Sequence, residues 1–183
     1  TKFAAMGQVL QQLQDAKVRG RKLLAVLIDP DFGQDEALLE RTVQNACMAK
    51  ADLLFVGGSL LTSASFDHCV ELVKRWSDGP VVLFPGSPAQ LSGHADAVLF
   101  LSLISGRNPE LLIGHHVTAA PTVRALGIEA IPTGYMLVDG GKPTTKPVVD
   151  AQVVTPLDVL SSGKDLDDKR LVHRIYHDIL APG

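Results

Sequence analysis

Two short polar clusters, each closing an apolar run, are where this sequence could build chemistry. Asp29-Pro30-Asp31 follows the apolar stretch 23–28, and Gly57-Gly58-Ser59 follows Leu53–Val56. A carboxylate and a hydroxyl are hard oxygen donors, the kind Mg²⁺ takes while sharing its other positions with water and substrate phosphates. Glycines let a ligand come close to the backbone and expose N–H groups to an anion. Each cluster also has a plainer explanation. Asp-Pro-Asp can start a turn and cap a helix, and a double glycine can serve a turn that needs unusual dihedrals.

Other polar residues point less clearly. Lys142, after Gly140-Gly141, suits a phosphate as a point charge but equally suits solvent. His115-His116 has no partner at a zinc-like spacing. His173 and His177 lie four apart on an expected helix but lack the Glu of an H-E-x-x-H site, so zinc is not expected. Cys47 and Cys69 sit inside amphipathic patterns and read as small core residues in a reducing compartment.

The elements that position the two clusters alternate. Residues 8–19 have helical spacing, with Gly20 at the C-terminal cap. The continuous apolar run 23–28 has the pattern of a strand covered on both faces. Leu39, Val43, Ala46 and Cys47 share one stripe of a helix over 34–50. Leu53–Val56 is a strand, and Phe66, Cys69, Val70 and Val73 mark the next helix. Strands follow at 81–84 and 97–101. A helix near 109–113, capped by Asn108 with Pro109 at its first position, comes next. The region around Pro121 is helical but interrupted, and a strand over 128–138 runs into Asp139-Gly140-Gly141.

Such alternation implies βαβ crossovers and a parallel sheet, either open and doubly wound or closed as a (β/α)8 barrel. No G-x-G-x-x-G follows the first strand, which argues against a dinucleotide site. Both folds place ligands at the C-terminal strand ends, where the polar clusters fall.

The totals set limits. A chain of 183 residues is expected to form a single domain, 1–183. Its hydrophobic fraction of 46%, charged fraction of 20% and net charge of −3 are ordinary for a globular protein. No basic cluster exists to neutralise phosphates in number, so no nucleic-acid partner is expected. No apolar run approaches the roughly 20 residues of a membrane span, and no apolar leader pattern opens the chain. A cytoplasmic location follows, with at most peripheral membrane contact.

Several longer stretches carry a family resemblance. "VLIDPD", "FVGGSLLT", "VVLFPGSPAQLS", "ADAVLFLSLISGRNPELLIGHHV" and "LGIEAIPTGYMLVDGGKPTT" occur in order across residues 23–145. Together they resemble the geranylgeranylglyceryl phosphate synthase family and its heptaprenylglyceryl phosphate synthase relatives, with an ending most like the bacterial members of the second group. Leu27 stands where the first group has a lysine, which fits the second. The resemblance implies a TIM barrel that transfers a polyprenyl group from its diphosphate to the C3 hydroxyl of sn-glycerol 1-phosphate, releasing pyrophosphate. It implies Mg²⁺ held by Asp29 and Ser59. It also implies Tyr135 and Asp150 as catalytic candidates, and Gly57, Gly58, Ser59, Tyr135 and Asp139 as substrate-binding ones. It implies a homo-oligomer as well.

The second half departs from the family pattern. Its Y-x-[DE]-x-G-S-G segment, triple glycine and G-N pair, which would hold glycerol phosphate, are absent as written. The chain after Thr145 is too short for three more βα units, and Asp150-Ala151 before "QVVTP" looks like the acidic strand end with its glycine loop removed. Segments of the barrel are therefore expected to be missing. Residues 166–180 form an amphipathic helical pattern that suits a closing helix. Two alternatives follow: another phosphate-handling barrel enzyme with Asp29 as a general acid or base, or a non-catalytic interaction protein keeping part of the barrel.

Overall fold

The computed structural model describes residues 7–31, 35–58, 66–104 and 108–136. Helix α1 (Gln8–Val18) ends at Arg19, and Gly20 follows at φ 65°, a left-handed turn that glycine adopts without a Cβ penalty. Strand β1 (Ala25–Ile28) leads to helix α2 (Glu36–Met48). Asp35 caps α2, its carboxylate accepting from the Leu38 N–H at 3.0 Å, and the expected stripe Leu39, Val43 and Ala46 is buried. Strand β2 (Leu53–Val56) is buried at every residue. Helix α3 (Phe66–Trp76) buries Phe66, Cys69, Val70, Leu72 and Val73. Strands β3 (Val81–Leu83) and β4 (Ala97–Leu103) follow, then helix α4 (His115–Leu126) and strand β5 (Glu129–Tyr135).

The sheet order is β1-β2-β3-β4-β5, with the first four strands paired in parallel. Leu54, Val56, Val81, Leu83 and Val98 face the helices and join one core with Leu39, Val43, Val70 and Val73. Alternate residues Leu53, Phe55, Val82 and Leu99 are buried too, as expected of strands covered on both faces. Strand β1 departs from that expectation. It is an edge strand among the described residues, and its residues 25–27 are only half buried.

The helix expected near 109–113 is instead a wide π-type turn, Glu110–Gly114, that runs directly into α4. Asn108 does cap its start, Oδ1 accepting from the Glu110 N–H at 3.0 Å. Pro121 lies inside α4 without ending it. Its missing N–H leaves the carbonyl of Val117 without a helical partner on an exposed part of the helix, where water can serve. Two compact units result: residues up to Phe100 with His116–Ile131, and Leu101–His115 with the residues from Pro132. The helix expected at 166–180 lies outside the described residues.

Three acids organise the N-terminal edge of the sheet. Asp52, just before β2, accepts from the Leu24 N–H at 2.8 Å and from Arg21 at 3.0 Å. Asp96, just before β4, repeats the device: it accepts from the Val81 N–H at 2.7 Å and from Lys74 Nζ at 2.6 Å. Glu129 opens β5 and is buried. Its carboxylate accepts from the Val9 and Leu10 N–H groups at 2.9 and 3.0 Å, closing the first turn of α1, which has no side-chain cap of its own.

Removing that carboxylate leaves two helix amides without their acceptor. Glu129→Ala is expected to lower stability by about 1.5–3 kcal/mol, the usual size for a hydrogen bond to a charged group, measured by urea unfolding. On the surface, His68 bridges Glu36 of α2 and Glu71 of α3 at 3.4 Å each, and these hydrogen bonds raise its pKa above the ordinary 6.5. A raised pKa means the bridge helps the fold at low pH and is lost as pH climbs through the folded-state value. An NMR titration should place His68 above 6.5, and Glu36→Gln should bring it down.

Candidate active site

The register of the first three strands decides which side chains meet. Ile28 pairs with Val56 and Val56 with Leu83. The chain leaves all three strands at the same end, so Asp29, Gly57 and Phe84 come out side by side. Two further hydrogen bonds carry the ladder past the strand ends: Gly57 N–H to the Ile28 carbonyl at 3.2 Å and Phe84 N–H to the Val56 carbonyl at 2.8 Å.

Asp29 is exposed while its neighbours Ile28 and Pro30 are buried. Its Oδ1 accepts from the Asp31 N–H at 3.0 Å, which fixes the turn and holds the carboxylate at the rim. Among the described residues its Oδ2 accepts no hydrogen bond and no basic side chain neutralises it. The turn expected of Asp-Pro-Asp and an exposed carboxylate thus coexist.

Gly57 is buried, and a Cβ there would overlap the Phe84 carbonyl. Only glycine lets β2 and β3 close at this level. The N–H groups expected to face an anion are both engaged inside the protein. Gly57 donates to Ile28, and Gly58 donates to Gln90 Oε1 at 3.4 Å. Gly57 thus serves the contact between β2 and β3, and Gly58 is the half-buried member of the pair.

Gln90 was not legible in the sequence. It is 1% exposed, and it returns the contact by donating Nε2 to the Gly58 carbonyl at 2.9 Å while Oε1 also accepts from the Gly86 N–H at 3.0 Å. Glutamine is mostly a surface residue. The one available signal was its place in "FPGSPAQ", four residues after the glycine that ends the third strand. Two residues on, buried Ser92 donates its hydroxyl to Asp67 Oδ1 at 2.6 Å, tying the same loop to the first turn of α3.

Below the rim, Cys69 of α3 is buried. Burial, with the Asp29 charge adding to it, pushes its thiol up to about 11. Cys47 is half buried, its Sγ 3.8 Å from the Trp76 carbonyl, and both cysteines are free thiols.

Of the other expected site residues, Tyr135 ends β5 within the second unit, where its carbonyl accepts from the Ile104 N–H at 2.8 Å. Ser59, Asp139 and Asp150, together with Lys142, His173 and His177, lie outside the described residues. His116 stacks on Phe100 with ring centroids 4.3 Å apart. Among the described residues, no three His, Cys, Asp or Glu side chains cluster as a metal site.

A parallel α/β sheet in sequential order, with an exposed acid and a double glycine at neighbouring C-terminal strand ends, is of the TIM-barrel type, and the fold of its structural neighbours agrees. The pattern of the PcrB family matches residues 16–172. The chain belongs to the PcrB family. It is 51% identical over 144 residues to the geranylgeranylglyceryl phosphate synthase of Chitinophaga pinensis, covering 79% of this chain and 57% of that protein. It is 45% identical over 149 residues to that of Spirosoma linguale, covering 80% of this chain and 58% of the relative. The chain therefore spans a little over half the length of these curated relatives. Among solved structures, wild-type GGGPS from Thermoplasma volcanium superposes with a TM-score of 0.69 at 32% identity, covering 84% of this chain and 60% of that one. The (S)-3-O-geranylgeranylglyceryl phosphate synthase of Thermoplasma acidophilum, solved in complex with substrate sn-glycerol-1-phosphate, also gives 0.69, at 35% identity and with 79% and 60% covered. The resemblance expected from the motifs is borne out.

Two outcomes follow from the geometry. Gly57→Ala should destabilise the fold by at least about 1–3 kcal/mol, the usual cost of overpacking, read by urea unfolding. Cys69 should resist thiol reagents at pH 8 in the folded protein and react once urea exposes it, because the thiolate is the reactive form.

Proposed function

We propose that this protein transfers a polyprenyl group from its diphosphate to the C3 hydroxyl of sn-glycerol 1-phosphate, with Mg²⁺ as cofactor. The observation that carries the proposal is the exposed Asp29 carboxylate, set beside the double-glycine turn at the ligand end of the sheet. The synthase activity after which the relatives are named and the sn-glycerol-1-phosphate held by the Thermoplasma acidophilum enzyme support this reading.

The donor set fits the ion. One carboxylate oxygen accepts from the Asp31 N–H, the residue is exposed, and among the described residues no other hydrogen bond engages the carboxylate. A lone carboxylate with room for water and substrate phosphate suits Mg²⁺, which keeps several waters and seldom sits in an all-protein cage. The Ser59 hydroxyl is the proposed second ligand. When bound, the ion neutralises the charge that builds on departing pyrophosphate.

The residues do the rest. The bond from the prenyl C1 carbon to the diphosphate oxygen breaks and releases pyrophosphate, an ether bond forms to the C3 oxygen, and the hydroxyl proton passes to the pyrophosphate or to solvent. Gly57 is proposed to hold the turn in place from below, and Gly58, half buried, to bring the main chain toward the diphosphate. Tyr135 and Asp139 are proposed to line the substrate site, and Tyr135 and Asp150 to act on the reacting groups. Orientation of the hydroxyl against the allylic carbon supplies much of the rate. The proposal includes a homo-oligomer in the cytoplasm. Among the described residues no helix is long and apolar enough to cross a membrane.

Incubation with sn-glycerol 1-phosphate and prenyl diphosphates of several lengths should yield the ether only when Mg²⁺ is present. Asp29→Ala is expected to lower kcat by about 100-fold or more, as loss of one preorganised electrostatic group does, with an unchanged circular dichroism spectrum. Wild-type turnover in that variant would remove Asp29 from the mechanism.

A further inference from the structure

We infer that Gln90 is a positioning residue for this site: a buried amide that clamps the turn after β2 to the turn after β3. The inference rests on the proposed function for what the clamp positions, but its geometry stands apart from it. Three backbone groups on two loops converge on one side chain. Gly58 N–H and Gly86 N–H reach Oε1 at 3.4 and 3.0 Å, and the Gly58 carbonyl accepts from Nε2 at 2.9 Å. The partners define the orientation of the amide, since two donors must face its oxygen and one acceptor its nitrogen.

No other side chain of this size meets that demand in its usual ionisation state. Methionine fills the space without a donor or a strong acceptor. Glutamate keeps the acceptor but, ionised, sets a carboxylate against the Gly58 carbonyl. Protonated, it donates an O–H there and restores the pattern. Because Gln90 is 1% exposed, water does not substitute for it at low cost.

The loop that carries Gln90 grips the chain on both sides of residues 59–65. Gln90 holds Gly58 immediately before them, and Ser92 holds Asp67 immediately after Phe66, at 2.6 Å. The backbone beside Asp29 is therefore set by the third βα turn as well as by its own strand. Displacement of a positioned group by about 1 Å is enough to cost on the order of 100-fold in rate.

The test compares the wild-type chain with Gln90→Met and Gln90→Glu. Amide hydrogen exchange at Gly58 and Gly86 and prenyl transfer are both followed from pH 5 to 9. Gln90→Met should remain folded, lose protection at both amides, and lose about 10–100-fold in kcat/KM for the prenyl diphosphate. Gln90→Glu should be as impaired as Gln90→Met at high pH and recover toward wild type as pH falls, because the neutral acid donates to Gly58. Retained protection in Gln90→Met, or a wild-type pH profile in Gln90→Glu, overturns the inference. Should the wild-type chain transfer no prenyl group, the functional proposal falls, and the clamp is decided by amide exchange alone.

Discussion

The closeness of the second and third strands at Gly57 is the constraint on which the rest of the site depends. With no Cβ at that position, the backbone of Gly57 lies against the Phe84 carbonyl, and the ladder continues one residue beyond each strand. That closeness lines up the ends of β1, β2 and β3. It puts a carboxylate, a double glycine and the Phe84-Pro85-Gly86 turn within reach of one another. A side chain there would push the ends apart, and the amide of Gln90 would no longer span from Gly58 to Gly86.

The acids of this protein divide by position. Asp52, Asp96 and Glu129 sit at the N-terminal strand ends, where each carboxylate accepts from backbone N–H groups of a neighbouring element. Asp29 sits at the opposite end and, among the described residues, takes one such bond, from its own turn. In βα folds the first end is spent on holding the sheet together and the second on chemistry. The same residue type serves both because environment, rather than identity, sets the role. Where donors surround a carboxylate it is structural, and where solvent reaches it a cation or substrate can.

Much of this was legible in the residues. The apolar runs marked the strands, Asp29 fell at a strand end as its sequence neighbours implied, and Leu39, Val43 and Ala46 buried the stripe their spacing required. What escaped was long-range or inward-turning. The Glu129 cap pairs residues 120 apart, a relation that periodicity does not encode. Gln90 belongs to a residue type that rarely turns inward, so its composition signal pointed outward. The wide turn before α4 was hidden because Pro109 and Pro121 each suggest a boundary, whereas the helix absorbs Pro121 on its exposed side. Both glycine amides looked available to an anion because sequence shows a glycine's freedom without showing what already occupies its N–H.

The Glu129 cap also bears on how the chain matures. Helix α1 is made before β5, yet the carboxylate that satisfies its opening turn belongs to that strand, 120 residues later. At about 5–20 residues per second of synthesis, that partner emerges on the order of ten seconds after the helix it completes. Until then the first turn is left to water, and a short helix of this length is marginal by itself. The first turn of α1 therefore gains its acceptor only once the fifth strand has taken its place.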